Sequence, residues 1–155
     1  MPPDAPKAFL SYASQDLEAV EVLHKALEAR GINVWQDKQN LRVGNDWNRV
    51  LLEVIARRVD YVIVVQTPIM TTRLEGVFHR EIAAALQRQD EMGEFEGDKL
   101  LFLLPVKIGA CRLLSSLRGF HVIDVGEPAG VDSLANAIKE DWQSRAALKS
   151  LGQPV

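Results

Sequence analysis

The stretch KAFLSYASQD, residues 7–16, predicts a short buried strand that leads directly into a helix. Ala8, Phe9 and Leu10 are consecutive apolar residues, so both faces of this strand should be covered. Ser14 is predicted to be the N-cap of the helix, because its hydroxyl can accept a bond from a backbone N–H group. Ligands of doubly wound folds bind beyond the carboxyl end of such a strand. Taken alone, the stretch is better explained as a plain strand-to-helix turn.

The composition indicates one globular domain of ordinary size. The chain has 155 residues, of which 47% are hydrophobic and 25% charged, enough to build a substantial core. A net charge of −3 gives no electrostatic support for binding nucleic acid or an anionic membrane. No segment has the length of a transmembrane helix, so the chain is predicted to be cytoplasmic.

Cysteine usage bears on disulfides, metals and covalent catalysis. Cys111 is the single cysteine, so an intrachain disulfide is excluded. Without a cluster of cysteine and histidine residues, no metal site is predicted. Cys111 itself is expected to be a small buried hydrophobic residue, with a catalytic nucleophile as a distant alternative.

Alternating apolar segments predict one domain over residues 7–148, with loose tails at 1–6 and 149–155. Strands are expected at residues 8–10, 32–35, 59–65, 100–106 and 121–125. Helices are expected around residues 17–27, 47–55, 77–89 and 134–142, and loops at 38–46, around Pro68 and at 90–98. Gly31 is expected to end the first helix, and Trp35 to pack in the core.

Five strands alternating with helices predict an α/β fold. We expect a flavodoxin-like five-stranded parallel sheet with helices on both faces and the strand order 2-1-3-4-5. The topological switch point of that order lies between strands one and three, and ligands bind beyond their carboxyl ends. These ends correspond to residues 11–16 and 66–81, which narrows the search for a site to two loops.

Glu81 has an unusual place on its predicted helix. At roughly 100° per residue, the apolar stripe runs through Phe78, Ile82, Ala85 and Leu86, and Glu81 lies on its flank. A carboxylate there is partly desolvated, and such acids beside a cleft are functional candidates. An ion pair without further function explains the pattern slightly better, with Arg73, Arg80 or Arg88 as partner. His79 falls on the opposite flank, so a His–Glu dyad is not expected.

Several common enzyme classes are excluded by missing motifs. The sequence contains no GxGxxG, GxxxxGK[ST] or GxSxG pattern, which argues against dinucleotide-binding, P-loop and hydrolase sites. A phosphoacceptor receiver domain needs an aspartate at the end of its third strand, where this chain has Gln66 and Thr67. His24 and His121 have no partner motif and are assigned structural roles.

The order and spacing of these segments resemble a TIR (Toll/interleukin-1 receptor) domain, most closely the bacterial and plant-type members that cleave NAD. Residues 8–12 look like the first box of the family, and residues 61–68 like its third strand and the turn after it. GINVWQD at 31–37, with Leu41, Gly44 and Trp47, is similar to the second strand, the BB loop and the next helix. FHREI at 78–82 looks like the segment with the catalytic glutamate.

The resemblance implies one of two functions. Enzymatic TIR domains cleave the nicotinamide–ribose bond of NAD+ and release nicotinamide with ADP-ribose or a cyclic isomer. They need no cofactor, since NAD+ is the substrate. Adaptor TIR domains only associate with other TIR domains, and they commonly lack the glutamate that Glu81 matches. An NAD-cleaving effector of bacterial defence or signalling is therefore favoured, with any sensor domain outside this chain.

The resemblance also implies roles for individual residues. Glu81 is the catalytic carboxylate, Tyr12 and Ser14 line the nicotinamide and ribose end, and Asp37 and Trp47 border the cleft. Active members often carry an aromatic residue where this chain has Val77, so the neighbouring Phe78 is assigned that part. Plain structural roles remain open: a half-buried tyrosine at 12, an N-cap at 14, a turn at 37 and core packing at 47.

The resemblance also implies that the polar loop at residues 38–46 makes contacts between TIR domains. Leu41, Arg42 and Gly44 are the residues assigned to self-association, and a homo-oligomer is expected. Because single exposed leucines are common on protein surfaces, an ordinary surface loop is the alternative.

Overall fold

The structure is a computed structural model that describes residues 5–36, 58–73 and 79–152; of residues 73, 79, 81, 95 and 98 only the backbone is described. The strands are β1 (Lys7–Ser11), β2 (Asn33–Gln36), β3 (Tyr61–Gln66), β4 (Glu94–Phe95), β5 (Asp98–Lys99), β6 (Leu103–Lys107) and β7 (Ile123–Asp124). Five of them form a parallel sheet in the order β2-β1-β3-β6-β7, and β4 pairs with β5 in an antiparallel hairpin. The predicted α/β class and the order 2-1-3-4-5 are confirmed.

Helices cover both faces of this sheet. They are α1 (Leu17–Glu28), α2 (Pro68–Arg73), α3 (His79–Met92) and α4 (Pro128–Ser150), with short 3-10 turns at Ser14–Asp16 and Ser115–Leu117. The apolar side chains of α1 and α4 pack on one face, and those of α2, α3 and the second 3-10 turn on the other. Among the described residues, no helix is long and apolar enough to cross a membrane.

Alternation along the strands produces the two cores. On β3, Tyr61 and Ile63 face the core under α1 and α4, whereas Val62 and Val64 face the core under α2 and α3. All six residues of β3 are buried, as expected of a central strand covered on both faces. The β-branched run that predicted this strand therefore reflects its central place.

Two segments predicted as loops are regular structure. Pro68 begins α2, where its fixed φ suits the first helical turn and its missing N–H group costs no helix bond. The loop predicted at residues 90–98 is also wrong, because α3 continues to Met92 and the β4–β5 hairpin follows. Gly93, between α3 and the hairpin, and Gly97, in the hairpin turn, have φ of 76° and 86°, a region that favours glycine.

The prediction for α1 was wrong at the amino end of the helix and correct at its carboxyl end. Asp16, not Ser14, is the N-cap residue of α1, so the capping role predicted for Ser14 is wrong. The Ser14 hydroxyl instead donates to Oε1 of the adjacent Gln15 at 3.2 Å. Gly31 follows the helix with φ of 88°, and its N–H group bonds to Glu28 O at 3.0 Å, which confirms that it closes the turn.

Two residues predicted to be buried are more accessible than expected. Trp35 is 42% exposed, because β2 is the outermost described strand and the side chain lies on the opposite face from buried Val34. The prediction that Trp35 packs in the core is therefore wrong. Cys111 is half-buried, and its thiol donates to Gln66 O at 3.6 Å, so it is not a fully buried hydrophobic residue.

Candidate functional site at the carboxyl edge of the sheet

The turns that follow β1 and β3 are joined by a direct hydrogen bond. Thr67 Oγ1 donates to Asp16 Oδ2 at 2.5 Å, across 51 positions of sequence. Since β1 and β3 are paired neighbours, this bond lies at the predicted switch point, between the carboxyl ends of the two strands. No motif in the sequence indicated this pair.

Thr67 is held rigidly on its own side of this contact. The residue is 4% exposed, and its hydroxyl also accepts a bond from the Met70 N–H group at 3.3 Å. Its carbonyl accepts the Thr71 hydroxyl at 3.0 Å. Thr67 thus caps α2 and fixes Asp16, which leaves the Asp16 carboxylate partly exposed at the edge of the sheet.

Gln66 forms the polar floor beneath this edge. Its side chain is fully buried; Oε1 accepts the Leu114 N–H group at 2.8 Å, and Nε2 donates to Val106 O at 3.2 Å. The neighbouring Cys111 is partly covered, and burial raises the pKa of its thiol above the ordinary value. A thiol held in its neutral form is a poor nucleophile, which argues against the catalytic alternative for Cys111.

Tyr12 lies inside the core. The residue is 2% exposed, and its Oη accepts a bond from Gln36 Nε2 at 3.2 Å. Gln36 Oε1 lies 2.8 Å from Nδ1 of His24, whose Nε2 is 3.2 Å from Glu28 Oε1. This chain of polar contacts ties the end of β2 to α1, in keeping with a structural role for His24. Stacking of Tyr12 on a ligand stays a prediction.

Glu81 is the third residue of α3, in its first turn. Near the other end of this helix, Gln89 contacts Leu100, which precedes the amino end of β6. The start of α3 therefore lies toward the carboxyl edge of the sheet, together with Asp16 and Thr67. The catalytic role of Glu81 stays a prediction that this placement makes geometrically reasonable.

The side chains around Glu81 follow the predicted helical wheel. Ile82 and Ala85 are buried, whereas Arg80 and Gln87 are exposed, as expected of the apolar stripe and its opposite face. The guanidinium of Arg88, one candidate for an ion pair, lies 4.3 Å from the centre of the Phe102 ring. Burial is the main reason why the pKa of Arg88 is lowered.

The sequence matches the TIR domain family over residues 8–138. This chain belongs to the TIR domain family. The resemblance drawn from the residues is thereby confirmed for the domain as a whole. No curated protein gives a significant match.

The TIR domain is also similar to solved structures. A metazoan TIR-STING receptor from C. gigas superposes with a TM-score of 0.59 at 21% identity, covering 84% of this chain and 39% of that one. The TIR domain of the Toll-related receptor TRR-2 from Hydra magnipapillata gives 0.57 at 15% identity, covering 88% of this chain and 97% of that one. The CMP N-glycosidase BcmB of Clostridium botulinum gives 0.50 at 18% identity, covering 83% and 97%. These similarities show a shared fold.

Six of the predicted site residues lie outside the described part of the TIR domain. They are Asp37, Leu41, Arg42, Gly44, Trp47 and Phe78. Their assigned roles stay predictions.

Asp124 supports the carboxyl edge of the TIR domain farther from the switch point. Its Oδ1 accepts the N–H groups of Gly126 at 2.9 Å and Gly109 at 3.2 Å, which joins the loops after β6 and β7. These backbone bonds lower the pKa of the partly exposed Asp124 carboxyl below its ordinary value. Within the described residues, no group of three or more His, Cys, Asp or Glu side chains could hold a metal ion.

Proposed function

We propose that this TIR domain is an NAD+ nucleosidase that cleaves the bond between nicotinamide and ribose. The observation that carries the proposal is the place of Glu81 in the first turn of α3, toward the edge of the sheet where Asp16 and Thr67 meet. Doubly wound folds bind ligands at this edge. The likeness to a protein named as a CMP N-glycosidase supports the view that such a fold is compatible with N-glycosidic bond cleavage.

In the proposed reaction, one carboxylate stabilises the positive charge that develops on the ribose. As the bond from ribose C1′ to the pyridinium nitrogen breaks, its electron pair goes to that nitrogen and cancels the positive charge of nicotinamide. The leaving group thus needs no proton, and positive charge develops on the ribose as in other glycosidic cleavages. A carboxylate fixed at Glu81 in a cleft of low dielectric would stabilise this charge.

The second half of the reaction sets the product. Water adds to C1′ and releases a proton to solvent, which gives ADP-ribose. In cyclisation, a nucleophilic atom of the ADP-ribose part adds to C1′ in place of water and loses its proton to solvent, which gives a cyclic isomer. Nothing beyond NAD+ and water is required, so the proposed reaction needs no cofactor.

The proposal is tested by measuring nicotinamide release from NAD+ by the concentrated or tethered domain. Glu81→Gln and Glu81→Ala are expected to lower the rate by about 100-fold or more, the usual cost of removing a group that stabilises transition-state charge. Glu91→Gln is the matched control, because Glu91 is an exposed acid at the far end of the same helix. Retention of activity in both folded Glu81 variants, or no nicotinamide release by clustered wild type, would contradict the proposal.

We further propose that the domain works as a homo-oligomer assembled through the loop at residues 38–46. Leu41→Ala and Gly44→Pro are expected to lower the molecular mass measured by light scattering under conditions where wild type oligomerises. A wild type that assembles through this loop but releases no nicotinamide would instead support the adaptor function. An unchanged mass in both variants would remove the loop from the interface.

A further inference from the structure

We infer that Gln89 is a positioning residue for the proposed reaction, because it fixes α3 against the entry to β6 and so places Glu81. The inference rests on the proposed role of Glu81. Gln89 does not reach the carboxyl edge itself. It lies eight positions after Glu81 on α3, about 12 Å along the helix axis at 1.5 Å per residue.

The carboxamide of Gln89 holds three backbone groups at once. Nε2 donates to Leu100 O at 2.6 Å, while Oε1 accepts the N–H groups of Phe102 at 2.7 Å and Leu103 at 3.0 Å. These bonds have the distances of good hydrogen bonds and depend on direction. Together they set both the rotation of α3 and its position along the axis relative to β6.

The segment that Gln89 holds is itself fixed from other sides. Leu101 N donates to Asp141 Oδ1 of α4 at 2.7 Å, and the guanidinium of Arg145 donates to Leu101 O. Phe102 O accepts the Val62 N–H group of β3 at 2.8 Å. Residues 100–103 therefore form a stationary reference within the sheet, to which Gln89 attaches the helix.

The described apolar contacts of α3 are of a different kind from the three Gln89 bonds. Ile82 and Ala85 pack into the apolar core, and the Arg88 guanidinium lies over the Phe102 ring. Apolar packing is non-directional, so it holds a helix on a sheet with less control over its register. An α-helix moves nearly as a rigid body, and loss of the Gln89 bonds would displace Glu81 with it. A shift of about 1 Å at a reacting group can cost about 100-fold in rate.

The experiment compares Gln89→Met with Gln87→Met in the tethered domain. Gln87 lies on the exposed face of the same helix, where its Nε2 is 3.4 Å from Glu91 Oε1, so it is a matched control. Gln89→Met is expected to lower kcat for nicotinamide release by about 10- to 100-fold, with KM changed by less than about twofold. Gln87→Met should leave both constants unchanged. A purely structural role of Gln89 would leave kcat per folded molecule at the wild-type value, which would overturn the inference.

Gln89→Glu provides a graded rescue. Its carboxylate can still accept the N–H groups of Phe102 and Leu103, but its second oxygen faces Leu100 O and needs a proton to form that bond. The ratio of its kcat to that of wild type is therefore expected to rise as the pH falls from about 8 to about 5. A ratio independent of pH would contradict the proposed three-bond geometry.

Amide hydrogen exchange tests the anchor without relying on activity. In Gln89→Met, exchange at Phe102 and Leu103 is expected to be at least about tenfold faster, and the amide signals of residues 79–83 should shift. Unchanged exchange and signals would overturn the inference. Failure of the proposed function is recognised separately, because wild type would then release no nicotinamide although these amides still respond to the substitution.

Discussion

The two edges of the parallel sheet use polar side chains in different ways. At the amino edge, Asp141 and Arg145 are each 5% exposed, and both are bonded to backbone groups of other elements. At the carboxyl edge, Asp16 is partly exposed and Asp124 lies at the surface, each with hydrogen bonds but open to solvent. The amino edge is built to hold the fold together, whereas the carboxyl edge leaves carboxylates within reach of a ligand.

The side chains of the amino-edge network are buried and bonded to one another. The Tyr61 hydroxyl donates to Asp141 Oδ2 at 2.5 Å, Arg145 Nε donates to the same oxygen at 3.0 Å, and the Arg145 guanidinium lies 4.3 Å from the centre of the Tyr61 ring. Burial raises the pKa of Tyr61 far above its ordinary value; the nearby Arg145 opposes this, and the bond to Asp141 adds to it. The phenol therefore stays a donor to Asp141.

Breaking this network should give the largest change in stability. Asp141→Ala leaves the buried Arg145 charge and the Tyr61 hydroxyl without their carboxylate, so the free energy of unfolding is expected to fall by about 3–5 kcal/mol. The measurement is urea unfolding at neutral pH. Asp132→Ala is the control, because the Arg30–Asp132 pair is 29% and 60% exposed, and such surface pairs contribute less than about 1 kcal/mol. Equal losses in the two variants would show that the amino edge has no special role.

Most of the fold could be predicted because local patterns of apolar residues indicate its strands and helices. The run Tyr61–Val65 predicted a central strand, and Leu134, Ile138 and Trp142 predicted the last helix, without any knowledge of partners. The amino-edge network could not be predicted in this way. Asp141 and Arg145 stand four residues apart on a helix, a spacing that usually marks a surface ion pair, and only Tyr61, 80 positions away, shows that they are buried.

In the candidate site, too, some features could be predicted from local patterns and others depend on distant contacts. The position of Glu81 on the first turn of α3 follows from helical periodicity and the strand order, both local or topological signals. The bond between Asp16 and Thr67 joins residues 51 positions apart and depends on how two turns pack, so no local pattern indicates it. The prediction that Trp35 packs in the core was wrong because it relied on local pattern alone. An apolar side chain on an outermost strand has the same local sequence pattern as one on a central strand.

Removing the Asp16–Thr67 bond, at the carboxyl edge, is expected to change the stability by an intermediate amount. Thr67→Val removes the hydroxyl that donates to Asp16 and accepts the Met70 N–H group. Because the Asp16 carboxylate can be solvated, the expected loss in urea unfolding is about 1.5 kcal/mol, at the low end for a bond to a charged group. Thr72→Val is the control, since the exposed Thr72 hydroxyl donates within α2 to Pro68 O. A loss in Thr67→Val as large as in Asp141→Ala would erase the difference between the edges.

The smallest effect concerns Asp124 and depends on pH. The N–H groups of Gly126 and Gly109 lower the pKa of this carboxyl in the folded state, so its ionised form stabilises the fold. This stabilisation is present above the ordinary aspartate pKa of about 3.9 and is lost as the pH falls through the lower folded value. Asp124→Asn keeps an oxygen acceptor but does not titrate. The urea midpoint of wild type relative to Asp124→Asn is therefore expected to fall on acidification below about pH 4, whereas the exposed Asp90→Asn should show no such trend. Because Asp124 is partly exposed, the change should be smaller than at Asp141 or Thr67. A constant difference across this range would mean that its two backbone bonds do not favour the charged form.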